Sequence, residues 1–170
     1  MFFIFYGFYI IFMIIINKFI LYFNRLMNKK EQIFHTLKEY NYWKLVLHEH
    51  QYPFIGRCVA WAKRENADLI TDMNKEERDE LFDNVIKDWE RAVNKLYSAS
   101  RINMAILGNT IPHLHAHLVP RYKEPKKFHG EEFIDPNPSY HFSPYDKKEL
   151  REEVVNSIVE QMQKEINNKF

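Results

Sequence analysis

Cys58 is the only cysteine in 170 residues, which excludes an internal disulfide and fits a reducing compartment. It stands in Arg57-Cys58-Val59-Ala60-Trp61-Ala62, a strand-like run in which a free thiol acts as a small, inert hydrophobe. Glycine is almost as scarce. Four glycines are too few for a glycine-rich phosphate loop, and no such motif is present. An excess of charge of one sign is missing too, because 24 Lys and Arg stand against 23 Asp and Glu. That balance argues against a nucleic-acid partner held by bulk charge. A small phosphorylated ligand gripped by a few local groups stays allowed.

What the chain does have begins with an apolar amino terminus. Met1 to Ile16 carries no charge, Asn17 and Lys18 interrupt, and Phe19 to Phe23 resume. As a helix the first run would span about 24 Å, short of a hydrocarbon core of ~30 Å. It lacks the positive start and small-residue cleavage site of a secretory signal. Three readings stay open. The stretch is an anchor, with Lys18, Arg25, Lys29 and Lys30 keeping the domain on the cytoplasmic side, an over-extended reading frame with the true start at Met27, or a partner-binding tail. A cytoplasmic protein is expected, with membrane contact only through residues 1–23. Residues 1–27 are therefore set apart from a domain at 28–125, followed by a loop and helix at 126–170 that pack on it.

Periodicity predicts the elements. A helix is expected from Asn28, with Ile33, Phe34, Leu37 and Tyr40 on one face. Tyr42–His48 reads as a strand, Gln51–Gly56 as a turn, and Arg57–Ala62 as a second strand. Asn74 caps a long helix, with Glu77 completing a capping box and Leu81, Phe82, Val85, Trp89, Ala92, Val93 and Leu96 as its stripe. Arg101–Leu107 is the next strand, turning at Gly108-Asn109-Thr110 toward an antiparallel neighbour. From Pro120 to Tyr145 five prolines break all periodicity, so a surface loop is expected there. Ser143 and Pro144 then start a helix whose Leu150, Val154, Ile158, Met162 and Ile166 recur every fourth residue. The sum is an α+β domain with a small, mainly antiparallel sheet and helices packed against it.

The most informative segment is Pro112-His113-Leu114-His115-Ala116-His117-Leu118-Val119-Pro120-Arg121. On a strand, residues two apart share a face, so the three imidazoles would stand together, opposite Leu114, Ala116 and Leu118. Three readings follow. A metal site would need further ligands, yet no second cysteine or paired carboxylate stands nearby. Core histidines would bury many polar nitrogens. Nucleophilic catalysis uses imidazole chemistry near neutral pH directly.

For the third reading there is a resemblance. His113-Leu114-His115-Ala116-His117-Leu118-Val119 fits the His-φ-His-φ-His-φ-φ signature of the histidine-triad nucleotide hydrolases and transferases. The flanks, Leu107-Gly108-Asn109-Thr110-Ile111-Pro112 and Pro120-Arg121-Tyr122, are similar to the bacterial branch that resembles diadenosine polyphosphate hydrolases. The likeness spans Tyr42 to Tyr122. It implies a histidine-triad-like fold and a homodimer. It also implies a nucleotide substrate attacked at its α-phosphorus by His115, giving a nucleotidyl-histidine that water cleaves. By the same resemblance His117 donates to a phosphate oxygen and His113 orients the nucleophile. Asn103 lies at a position that contacts phosphate, Glu49 near one that binds the ribose hydroxyls, and Asn109 and Thr110 on a turn facing the phosphate or leaving group. Some relatives place a fourth histidine after the glycine of the earlier turn, where this chain has Arg57. Lys123, Lys126 and Lys127 either draw in polyphosphate or form a solvated loop. No tightly bound cofactor or metal is implied, although Mg²⁺ accompanying a phosphoanhydride is allowed. A nucleoside phosphoramidase and a non-catalytic nucleotide-binding module are the alternatives.

Overall fold

The structure, a computed structural model, describes residues 35–168. Five strands, β1 (Thr36–Glu39), β2 (Trp43–Leu47), β3 (Cys58–Ala62), β4 (Arg101–Ala105) and β5 (His115–Arg121), form one sheet in the order β1-β2-β3-β5-β4. Every neighbouring pair is antiparallel. A helical column follows β3: α1 (Lys75–Glu80), a π-helical turn (Leu81–Val85) and α2 (Ile86–Tyr97). The chain closes with α3 (Glu152–Asn167).

Alternation makes the sheet two-sided. Trp43, Leu45 and Leu47 of β2, Cys58, Ala60 and Ala62 of β3, and Ala116 and Leu118 of β5 all fall on one face by register. These residues share one core with Trp89, Ala92 and Val93 of α2 and Val154, Ile158, Met162 and Ile166 of α3. The expected α3 stripe is thus core, and Cys58 is buried as anticipated. Each large apolar side chain buried there contributes about 1.5–3 kcal/mol.

Asn74 caps α1 as its sequence predicts. Its side chain accepts from the Glu77 N–H at 2.8 Å, and the Glu77 carboxylate takes the Asn74 N–H at 2.9 Å. Glu77 also receives Arg64 through both oxygens, at 2.8 and 2.9 Å. Gly56 sits at φ +85°, and a Cβ there would lie 2.9 Å from Val93 Cγ1. The chain can enter β3 this close to α2 only with glycine.

Three expectations are corrected. Leu37 and Tyr40, assigned to a helix from Asn28, belong instead to β1 and its end; Asn28, Ile33 and Phe34 lie outside the described residues. A four-residue strand is too short to show period 2, and what fixes it is pairing with β2 and capture by α3. Gln163 Nε2 donates to the Thr36 carbonyl at 2.7 Å and Asn167 Nδ2 to that of Leu37 at 3.3 Å. The expected loop after Pro120 contains a hairpin, β6 (Lys126–Phe128) with β7 (Glu131–Phe133). The final helix starts at Glu152, not at Pro144, because residues 134–145 first cross the opposite face of the sheet. That crossing is pinned by the buried pair Arg121–Asp135 (2.7 Å) and by Phe142 packed with Phe54 and Val119. Among the described residues no helix is long and apolar enough to cross a membrane.

Candidate active site

The second face of the sheet carries the histidines. His117 lies opposite Val59 of β3 and Ala105 of β4, and His115 lies opposite Trp61. His113 is a correction to the expected strand, since β5 begins only at His115. The chain bends before it because Leu114 is committed elsewhere: its N–H donates to the Ala67 carbonyl at 2.8 Å, and its own carbonyl accepts from Ala62 at 3.0 Å. The three rings nevertheless stay together. Trp61 stacks on His115 with centroids 4.6 Å apart and lies 5.7 Å from His113, while His117 stands edge-on to His115 at 4.9 Å.

Hydrogen bonds fix which nitrogen carries the proton in His115 and in His113. His115 Nδ1 lies 2.6 Å from the His113 carbonyl oxygen. A carbonyl only accepts, so Nδ1 holds the hydrogen and the Nε2 lone pair is free. His113 Nε2 donates likewise to the Ala62 carbonyl at 2.7 Å. His113 therefore orients the nucleophile candidate twice, through its backbone oxygen and through the ring that anchors its own position.

A fourth histidine completes the row. His48 follows β2, where its N–H donates to the Arg57 carbonyl at 2.9 Å, and its ring lies 6.2 Å from that of His117. His48 Nδ1 accepts from the His50 N–H at 3.0 Å, which places its proton on Nε2. Burial, then Arg57, His117 and His50, lower the His48 pKa to about 2. Burial, then His115 and Arg57, lower that of His117 to about 4. Both rings are neutral near pH 7. His117 Nδ1 is buried without a hydrogen-bond partner.

The turn between β2 and β3 is strapped by one side chain. Buried Gln51 donates to the carbonyls of His48 (2.7 Å) and Arg57 (2.8 Å), and its oxygen accepts from Gly56 N–H at 2.7 Å. Tyr122 and Trp89 hold the same turn from below, donating to Ile55 (2.6 Å) and Gly56 (2.9 Å) carbonyls.

The remaining sequence candidates are placed as follows. Glu49 is exposed beside His48, its Oε1 3.6 Å from His50 Nε2. Asn103 lies on the histidine face opposite Val119, but its Oδ1 accepts from Arg121 Nη1 at 2.9 Å, so its amide is already engaged. Asn109 and Thr110 are exposed on the loop after β4, where Gly108 adopts φ +66° and Asn109 shares a groove with Asp68–Thr71. Lys126 lies over the Tyr122 ring at 5.5 Å. Sequence reading passed over His48, Gln51 and Trp61 as site-shaping groups and weighed Arg57 only as a missing histidine. Parity held the missed signal, because Lys44, Val46 and His48 alternate along β2 onto the face that Trp61 and Val59 share.

Comparison with known proteins agrees with this geometry. Residues 59–124 match the family model of the HIT domain. No curated relative matches the sequence. Among solved structures, a histidine triad protein from Bradyrhizobium japonicum superposes with TM-score 0.60 at 19% identity, covering 77% of this chain and 89% of that one. One from Marinobacter aquaeolei VT8 gives TM-score 0.61 at 19% identity, covering 78% and 88%. A zinc-bound histidine triad family protein from Mycobacterium smegmatis gives 0.54 at 17% identity, covering 78% and 84%. These likenesses show the fold, a five-stranded antiparallel sheet with helices on one face. The stretch that matches the HIT domain, residues 59–124, contains His113, His115 and His117, and the fold around it is that of the histidine triad structures.

Proposed function

We propose that this protein is a nucleotide hydrolase that works through a nucleotidyl-histidine on His115. The observation that carries the reading is the 2.6 Å contact of His115 Nδ1 with the His113 carbonyl, which leaves Nε2 as a fixed, unprotonated lone pair. In the first step Nε2 attacks the α-phosphorus of the nucleotide. A P–N bond forms, the P–O or P–N bond to the leaving group breaks, and the electron pair departs with that group. Positive charge developing on the ring strengthens the Nδ1–H bond to the carbonyl. His117, neutral and 4.9 Å away ring to ring, donates to a phosphate oxygen as charge shifts. Water then attacks the phosphorus, the P–N bond to His115 breaks, and the ring recovers its pair. One water is consumed, its hydroxyl on the phosphorus and its proton on the leaving group.

A turnover screen of the purified protein against dinucleoside polyphosphates and adenosine phosphoramidates tests this reading. Release of nucleoside monophosphate from either class is expected; binding without release would leave a nucleotide-binding module. No protein-held metal is needed in this scheme, because the nucleophile is the His115 Nε2 lone pair itself and needs no activation by an ion. Elemental analysis is expected to find well under one transition metal per chain. Stoichiometric zinc, lost together with activity on chelation, would replace the nucleophile with a metallohydrolase.

A further inference from the structure

Two arginines are buried on the histidine face, and they differ in a way that points to a ligand. Arg121 uses all five of its N–H groups. Nε and Nη2 grip Asp135 at 2.7 and 2.9 Å, Nη1 reaches Asn103 Oδ1 at 2.9 Å and the Tyr140 carbonyl at 2.6 Å, and Nη2 also meets the Asn137 carbonyl. It is a structural clamp. Arg57 is 5% exposed, yet among the described residues its guanidinium makes one side-chain hydrogen bond, from Nη1 to the Tyr145 hydroxyl. Its Nε is buried with no partner, and among the described residues no carboxylate pairs with it. A guanidinium held out of water with no counter-charge is costly, and the cost is recovered only when an anion arrives.

We infer that Arg57 grips a phosphate beyond the α-phosphate, so that the preferred substrate carries at least one phosphoanhydride, a dinucleoside polyphosphate rather than a phosphoramidate. This rests on the nucleotidyl-histidine reading of the site. Arg57 continues the β3 side of the sheet two residues before Val59, which faces His117, and its carbonyl is tied to His48 N–H. Its field reaches both His48 and His117, lowering their basicity, so it stands on the nucleophile's side of the sheet. With those two rings neutral, Arg57 is, among the described residues, a positive charge on that face that no carboxylate matches, whereas Arg121 is paired with Asp135. The rings of Tyr145 (5.2 Å) and Phe142 (5.8 Å) wall the guanidinium on the far side and keep the local dielectric low. The Tyr145 hydroxyl, accepting from Arg57, keeps its own proton to donate to the same anion. When the bond from the α-phosphorus to the bridging oxygen breaks, the electron pair stays on a terminal phosphate beside Arg57. An amine leaving group gains nothing from that charge.

The test uses the full chain as wild type, R57M, R57K and H115A. Diadenosine triphosphate and adenosine 5′-phosphoramidate are the substrates, and calorimetric binding of inorganic pyrophosphate is the second readout. R57M is expected to lower kcat/KM for the polyphosphate by about 10²-fold while leaving the phosphoramidate nearly unchanged, with part of the loss restored in R57K. Pyrophosphate binding should weaken at least about tenfold in R57M, as for loss of one charge-assisted contact, and persist in H115A. Equal loss on both substrates would place Arg57 on the α-phosphate and overturn the inference, as would unchanged pyrophosphate binding in R57M. If R57M loses its circular dichroism, R57Q replaces it; loss of fold in both makes the guanidinium a structural tie and likewise overturns the inference. An active H115A would instead remove the covalent reading, and the pyrophosphate result would still decide Arg57.

Discussion

At the scale of single residues, the three triad histidines differ in the atom that each one uses in the proposed mechanism. In the proposed mechanism His115 supplies the attacking nitrogen, so H115A should lose turnover by orders of magnitude while its circular dichroism stays unchanged. His117 supplies a donor to developing charge, and one such donor is worth about 10²–10³-fold, so H117A should fall by that factor in kcat. His113 differs in kind, because the acceptor for His115 Nδ1 is its backbone carbonyl, which any residue at 113 provides. H113A removes the ring's bond to the Ala62 carbonyl and its contact with Trp61, and a cost of about tenfold is expected, consistent with one neutral hydrogen bond. A loss in H113A as deep as that in H115A would contradict this division. Steady-state kinetics of the three variants orders them. The pattern of three alternating histidines was plain in the sequence. The tautomers of His113 and His115 were not, since these depend on which carbonyl each of the two rings meets once the chain bends at His113.

The same residues set a pH dependence of stability. In the folded chain His117 titrates near 4 and His48 near 2, against 6.5 for the unfolded imidazole. Both are lowered, so the unfolded state binds more protons as pH falls through 6.5, and stability drops on the acid side. Between about pH 6.5 and 5 most carboxylates are still ionised, so the histidines dominate the slope there. Denaturant midpoints should fall steadily across that window for the wild type. They should fall less for a double H48Q/H117Q variant. A flat wild-type profile would mean that both rings are solvated and basic.

At the scale of elements, the β2–β3 turn is what brings His48 and Arg57 to the triad. Gln51 satisfies three backbone groups in it, all buried or half-buried. Q51L keeps the volume and removes every one of those bonds. It should cost about 1–3 kcal/mol for each buried group left unpaired, read as a lower denaturation midpoint, with kcat affected as His48 and Arg57 loosen. A stable and fully active Q51L would mean that Tyr122 and Trp89 hold the turn alone. Strands β2 and β3, the capped helix and the α3 stripe were legible because their burial is periodic and local. β1 was not, being four residues long and defined by α3 side chains more than a hundred positions away. The late start of α3 was hidden for a related reason. Ser143-Pro144 carries a sound helix-start signal, and the crossing over the histidine face overrides it through Arg121, Asp135 and Phe142. D135N leaves that arginine buried and unpaired, and a loss of about 3–5 kcal/mol is expected in unfolding experiments.

At the scale of the whole molecule, a two-faced sheet separates stability from chemistry. One face carries the helices and the core, the other the histidines and the crossing segment. The general architecture followed from composition and periodicity, and the triad from spacing. The walls of the site did not, because Phe54, Phe142 and Tyr145 come from segments without periodicity and meet only in three dimensions. The central claim is that the chain does its chemistry by covalent capture on one named ring. The most direct measurement is rapid quenching of the wild-type protein with an α-labelled dinucleoside polyphosphate, followed by mass spectrometry of the peptide that spans residues 113–121. The account predicts an acid-labile nucleoside monophosphate adduct on His115. Label on His117, or on no histidine at all, would contradict it.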